Sequence, residues 1–175
     1  MSDMTDQKLE ILRQHAQRSL ENHRDPHIGA FYKRCIDEQA PVFSPAHELT
    51  ERTFYRAPRK HSPEDVDIAC LGLPMDVSAP YHGGQKFAPN ALREASYTHG
   101  PIHDRWKLIP FDMCRIADMG NVVFNRPHDT EQTVEDIYQA VCALDDAGAA
   151  PFCVGGVHTV SHPKLKAMGR NRSLG

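Results

Sequence analysis

Four short stretches of this chain carry side chains that could do chemistry. Gly155-Gly156-Val157-His158-Thr159 follows an apolar run, and its double glycine allows a tight turn that presents a histidine at a strand end. Gly72-Leu73-Pro74-Met75-Asp76 and Asp118-Met119-Gly120-Asn121 set carboxylates in comparable positions, and Tyr81-His82-Gly83-Gly84 runs on through Lys86 to Pro89. Imidazole and carboxylate are side-chain types that can ligate metals or move protons. Other groupings are weaker. His158 and His162 have the i, i+4 spacing that can hold zinc, yet the central glutamate of HExxH is missing. Asp65-Val66-Asp67 is a DxD, but it precedes the first strand, at the opposite end of the sheet from His158, and reads as a surface cap. His103-Asp104 and His128-Asp129 are isolated loop pairs. The cysteines at 35, 70, 114, 142 and 153 form no CxxC and have no carboxylate or histidine constellation, so they read as core fillers in a reduced, intracellular chain.

The elements that must position these residues follow from hydrophobic patterning. Ile68 to Leu73 is a short apolar run closed by Pro74, as expected for a strand buried on both faces. Pro89 opens a helix carrying Ala91, Leu92 and Ala95. Cys114 to Ala117 is a weaker strand, and Asp129 or Thr130 caps a helix whose stripe is Val134, Ile137, Tyr138, Val141 and Leu144, stopped by Gly148. Ala150 to Val154 is a third strand, followed by a helix from about Val160 to Met168. Alternating strands and helices predict a parallel sheet with right-handed crossovers, whose ligands gather beyond the carboxyl ends of the strands, here after Leu73, Ala117 and Val154. Upstream, Asp3 to about Asn22 has the spacing of an amphipathic helix ended by Asp25-Pro26, and a short helix is expected over Ile28 to Ile36. Pro41, Pro45, Pro58 and Pro63 then interrupt a segment that reads as too irregular for the core.

Composition narrows the function classes. The chain has 175 residues, 40% of them hydrophobic, enough for one core. A net charge of −3 offers no field for phosphate backbones or an anionic membrane surface. The acidic start, Met1 to Asp6, lacks the basic region of a signal peptide, and no apolar run approaches ~18 residues. The expectation is a cytoplasmic protein with neither nucleic acid nor membrane as partner.

In this order the four stretches resemble the arginase/agmatinase (ureohydrolase) family, whose pattern reads approximately GxPxD, RPGxRxGPxAIRxAS, DxGD and GGDHS. The chain has GLPMD, HGGQKFAPNALREAS, DMGN and GGVHT, across roughly Asp67 to Met168. The resemblance implies an α/β fold, a three-layer sandwich around a parallel sheet with strands in the order second, first, third. It implies metal-dependent hydrolysis of a guanidino C–N bond to release urea. A guanidinium is a poor electrophile, and the family meets this with a divalent metal pair, usually manganese, with nickel the alternative, that holds a hydroxide. His158 falls on one metal ligand; the other ligands belong to DAHxD and DxD motifs farther along the family pattern than Gly175. The departures are Val157 where the family has an acid, His82-Gly83 for Arg-Pro, Lys86 for Arg, Ala88 for Gly and Asn121 for Asp.

Without partners His158 is a half-buried loop histidine, Asp76 and Asp118 cap loops rather than touch substrate, Gly155-Gly156 is a tight turn, and Lys164, Lys166, Arg170 and Arg172 form a solvated helix face that also complements the negative helix end. A phosphate-binding, flavodoxin-like use of Gly83-Gly84 is disfavoured because no GxGxxG or P-loop is present. We therefore expect an N-terminal extension over 1–62 and a partial, incomplete ureohydrolase-like α/β domain over 63–175. The expected activity is of agmatinase or guanidino-acid hydrolase type, not displayed by this truncated chain, which has His158 as its metal residue, no catalytic residue and no tight metal. The alternative is a non-catalytic binding or assembly module. Expected partners are a guanidino small molecule and either further copies of the chain, as a homo-oligomer, or a complete subunit.

Overall fold

The computed structural model describes residues 7, 8, 10, 11, 14, 23–37, 52–99, 102, 103 and 105–174. Three parallel strands, β1 (Ile68–Leu73), β2 (Ile116–Asn121) and β3 (Ala150–Gly155), form one sheet in the order β2-β1-β3, as the resemblance implied. The remaining elements are α1 (Pro26–Asp37), α2 (Ala88–Tyr97), α3 (Pro110–Met113), α4 (Thr130–Asp146) and α5 (Ser161–Met168).

Strand alternation divides the sheet into two faces. Ala69, Leu71, Leu73 and Ala117 pack beneath α4 and α5 with Ile137, Val141, Leu144, Val160 and Ala167, all buried. The stripe expected for α4 is therefore the one that is buried, with Val134 and Tyr138 at its margin. Asp129 caps α4 by accepting from the Gln132 N–H at 3.1 Å, and Gly148 ends it in the left-handed region at φ 79°. The other face carries Cys70 and Asp118 and is covered by α2 and a single 3₁₀ turn at Phe54–Arg56.

Several elements differ from expectation. Strand β2 begins two residues late and runs through Asp118 to Asn121, which had read as loop, because the side chains that mark it as polar are used inside the fold. Its pairing slips by one residue between Cys70/Asp118 and Gly72/Asn121, a bulge at Met119-Gly120. The buried side of α2 is Pro89, Arg93 and Ser96, whereas Ala91 and Ala95 are exposed and Leu92 is half-buried. Upstream, the segment taken as too irregular for the core supplies Thr53, Phe54 and Ala57, each almost fully buried. Helix α1 starts earlier than expected, at Pro26, where Asp25 Oδ1 accepts from the His27 N–H at 3.0 Å. It packs Ile28, Phe31 and Cys35 on Ile109 and Phe111 of its own chain. Of the helix expected over Asp3 to Asn22, the described residues 7, 8, 10, 11 and 14 are helical and the rest lies outside the described residues, as do Pro41 and Pro45. No helix among the described residues is long and apolar enough to cross a membrane.

The two edges of the sheet are unlike. Along β2, Arg59 bridges to Asp118, with Asp118 N–H donating to Pro58 O at 2.9 Å and Lys60 N–H to Asp118 O at 3.1 Å. On β3, Ala150 and Gly156 N–H groups bond to Asp67 and Leu73 carbonyls, so Pro151, Cys153 and Gly155 turn their backbone outward. Pro151 brings no N–H, which blunts this edge without closing it. Among the described residues no strand pairs there. Phe152 beside it is 50% exposed and borders an apolar groove of about 550 Å³ shared with Phe54, Ile68, Phe111 and Ile116. An open edge next to exposed aromatic surface predicts association. Light scattering behind size exclusion should show the 175-residue chain as oligomers at micromolar concentration, shifted toward monomer by Phe152→Lys. A monodisperse parent monomer with one cooperative thermal transition would refute this.

Candidate functional site

Beyond the carboxyl ends of β1 and β3 the backbone is tied tightly. Met75 and Gly156 N–H groups both donate to Leu73 O, at 2.8 and 3.0 Å, and Val157 N–H donates to Met75 O at 2.9 Å. A Cβ on Gly156 would stand 1.8 Å from the Met75 carbonyl oxygen, so this glycine is required by the close approach of two backbones. Val157, next in sequence, is only 7% exposed and belongs to the core. His158 opens a 3₁₀ turn, His158–Val160, and is exposed rather than half-buried.

The loop after β1 meets this turn. Asp76 is a loop cap, as one of its two readings had it. Its Oδ2 accepts from Gly84 N–H at 2.9 Å, its carbonyl accepts from Ala79 N–H at 3.0 Å, and the Lys86 ammonium stands 3.8 Å away. Ser78 Oγ and Thr159 Oγ1 are joined at 2.7 Å. His162 is exposed on the first turn of α5. Among the described residues, no three His, Cys, Asp or Glu side chains gather as a group able to hold a metal. His158 is thus a single donor at the strand end, and the described residues do not complete a metal site around it.

Asp118 caps backbone N–H groups, at Phe54 and Gly120, but from a fully buried position. Its Oδ2 accepts from Phe54 N–H at 3.0 Å and Arg93 Nε at 2.8 Å, and its Oδ1 accepts from Arg59 Nη1 at 2.5 Å, Arg93 Nη2 at 3.0 Å and Gly120 N–H at 2.8 Å. Arg93, its side chain 4% exposed, also donates to Gly120 O at 2.8 Å and to the Asn121 and Asn90 side-chain oxygens at 2.7 and 3.0 Å. Beneath this cluster the Cys70 thiol is pushed up to about 12, first by burial and then by the Asp118 charge, which keeps it protonated and unreactive. The sequence reading missed Arg59 and Arg93. Arg93 was detectable in part, because Pro89, Arg93 and Ser96 stand at i, i+4 and i+7 and share one helix face.

The remaining sequence candidates lie elsewhere. Asp65 and Asp67 flank the amino end of β1 and bind Arg115, at 2.9 Å for Asp65 Oδ1 and 2.7 Å for Asp67 Oδ1, the surface role expected of them. The hydrogen bonds from Arg115, side chain first and then backbone, hold the Asp67 carboxyl down at about 2. His103 stacks on Trp106, Asp104 lies outside the described residues, and His128 is exposed. Arg170 and Arg172 are not a free helix face: beyond the end of α5 they pair with Asp145 and Asp146 at the carboxyl end of α4.

A parallel α/β sheet with a histidine on a double-glycine turn at a strand end defines the class. Residues 66–175 match the model of the Arginase family. Mitochondrial guanidino acid hydrolase of Homo sapiens is 32% identical over 151 residues, covering 82% of this chain and 42% of that protein. Guanidinopropionase of Pseudomonas aeruginosa is 31% identical, over 70% of this chain and 38% of that protein. In structure the chain is similar to proclavaminate amidino hydrolase from Streptomyces clavuligerus, with a TM-score of 0.64 and 28% identity over 70% of this chain and 40% of that one. The chain belongs to the arginase family. It spans about two-fifths of the length of these relatives.

Two outcomes follow from these ion pairs. Asp118→Ala leaves two guanidinium groups without their carboxylate and should cost about 3–5 kcal/mol in urea unfolding, the range for breaking a buried pair; a loss below about 1 kcal/mol would contradict the cluster's role. By NMR, Asp67 should titrate near 2, its pairing with Arg115 present at higher pH and lost as pH falls through that value. Arg115→Gln should return the midpoint toward the ordinary 3.8.

Proposed function

We propose that the chain carries the first part of the guanidino-hydrolase chemistry of its family, in a protein of guanidino-acid hydrolase or agmatinase type that releases urea, and that these 175 residues alone do not turn over substrate. The observation that carries this reading is His158 on its glycine turn, tied to the loop after β1, with no group of three or more His, Cys, Asp or Glu side chains able to hold a metal among the described residues. A guanidinium is attacked only by a strongly activated water, and activation by a divalent ion, manganese or nickel, needs several ligands in one place. One imidazole does not meet that requirement. The substrate class is a guanidino compound, since relatives named for guanidino acids and for agmatine match at 32%, 31% and 30% identity.

A second reading, a binding or assembly module derived from a ureohydrolase, is favoured by Val157. Its side chain is buried against the core where the family pattern has an acid, so the neighbour of His158 is apolar and contributes no charge. The open edge of β3 suits such a module, whose partners would be further copies of the chain or a complete subunit in the cytoplasm.

The test uses the purified chain with manganese or nickel and agmatine, arginine, guanidinopropionate and guanidinobutyrate. No urea should form, and calorimetry should find no metal site tighter than about micromolar, or about −8 kcal/mol. Metal-dependent urea release abolished by His158→Ala would overturn the proposal, as would a tight stoichiometric site lost on His162→Ala.

A further inference from the structure

The motif residues Asp76 and Lys86 organise the loop that reaches the histidine turn. Asp76 draws Gly84 N–H and the Lys86 ammonium to one carboxylate, and its carbonyl accepts from Ala79 N–H, which closes a turn over residues 76–79. That turn carries Ser78, whose hydroxyl meets the Thr159 hydroxyl at 2.7 Å. On the other side of His158, Val157 N–H is held by Met75 O at 2.9 Å. Both sequence neighbours of His158 are therefore fastened to one four-residue segment, 75–78, while its own ring is exposed.

We propose that Ser78 and Thr159 form a positioning latch that fixes the direction of His158, with Asp76 the residue that holds the latch loop in place. The inference rests on the reading of His158 as the functional histidine of this end of the sheet. An exposed side chain on a 3₁₀ turn of one residue triplet has little packing around it, so its rotamer is selected by the φ and ψ of the backbone it stands on, and only as far as that backbone is held fixed. One fastening leaves that backbone free to pivot; two fix it. A hydroxyl pair suits the purpose because each oxygen both donates and accepts, and Ser at position 159 would preserve the bond while Val would delete it. Asp76→Asn keeps the shape of the cap but removes the charge that attracts Lys86, so it should loosen the latch less than loss of either hydroxyl.

The experiment reads His158 directly, with neither metal nor substrate present. In protein labelled with ¹³C and ¹⁵N histidine, assigned by the disappearance of one signal in His158→Gln, three-bond couplings and side-chain relaxation at fixed pH report rotamer and order. The parent should show one dominant rotamer. Ser78→Ala and Thr159→Val should each give averaged couplings and a lower order parameter at His158 alone, Thr159→Ser should restore parent values, and Asp76→Asn should fall between. Circular dichroism and the amide spectrum of α4 serve as the folding control; should Thr159→Val fail to fold, Ser78→Ala, at an exposed site, gives the same readout. A His158 unchanged in both hydroxyl variants, or already averaged in the parent, would overturn the latch. Neither result depends on urea release, so failure of the latch and failure of the functional reading remain distinguishable.

Discussion

The fold turns on one buried carboxylate. Asp118 accepts five hydrogen bonds inside the protein, from two guanidinium groups and two backbone N–H groups, and through them it joins β2, the bulge at Gly120, α2 and the segment around Phe54. Burying a charge is costly unless it is paired and hydrogen-bonded, and here every lone-pair direction of the carboxylate is used. The same anchor holds a strained backbone. Tyr55 and Arg56 sit in the left-handed region at φ 50° and 63°, a conformation that costs side-chain-bearing residues roughly 1–2 kcal/mol each. The stretch is pinned residue by residue, Phe54 N–H to Asp118, Tyr55 N–H to Ser96 Oγ at 3.0 Å and Arg56 Nε to Tyr97 O at 3.0 Å. Removing the anchor would release that strain and free the covered edge of β2 together.

This dependence explains which parts of the fold were legible in the sequence. Strand β1 and helix α4 are made by apolar burial, which leaves its pattern in the sequence, and each could be drawn to within a few residues from that pattern; β3 could be drawn from its apolar run although none of its residues is fully buried. Strand β2, the buried side of α2 and the 53–60 segment are made by a polar network. Their signal is a set of charges far apart in sequence, at positions 59, 93 and 118, and periodicity treats each as solvent-facing. The strand order followed from the resemblance, not from any property of the strands taken singly.

The candidate site divides along the same line. Gly156 and His158 could be read from spacing, because a double glycine after an apolar run has few uses other than a turn at a strand end. The exposure of His158 could not, since its surroundings come from Ser78 and Met75, about eighty residues earlier. Asp76 and Asp118 occupy matching places in the pattern, yet one tethers a loop at the surface and the other is the centre of the interior. Only the positions of Lys86, Arg59 and Arg93 in space separate the two roles.

The departures from the family pattern are accordingly of two physical kinds. Asn121 keeps the shape of the acid it replaces. Its Oδ1 still accepts from Arg93 and packs where a Cβ on Gly72 would come within 1.9 Å of it. The change removes one negative charge from a cluster that keeps two guanidinium groups and one carboxylate. Arg59 reaches the surface with its side chain 16% exposed, so water can share the excess positive charge. Such a substitution is absorbed by the fold. Val157 is of the other kind. Its methyl groups fill a core position beside the histidine turn, and a carboxylate there would have to be desolvated. Valine adds apolar burial where the family pattern spends a charge. At this end of the sheet, then, the family pattern has a charge where this chain has a packed apolar side chain.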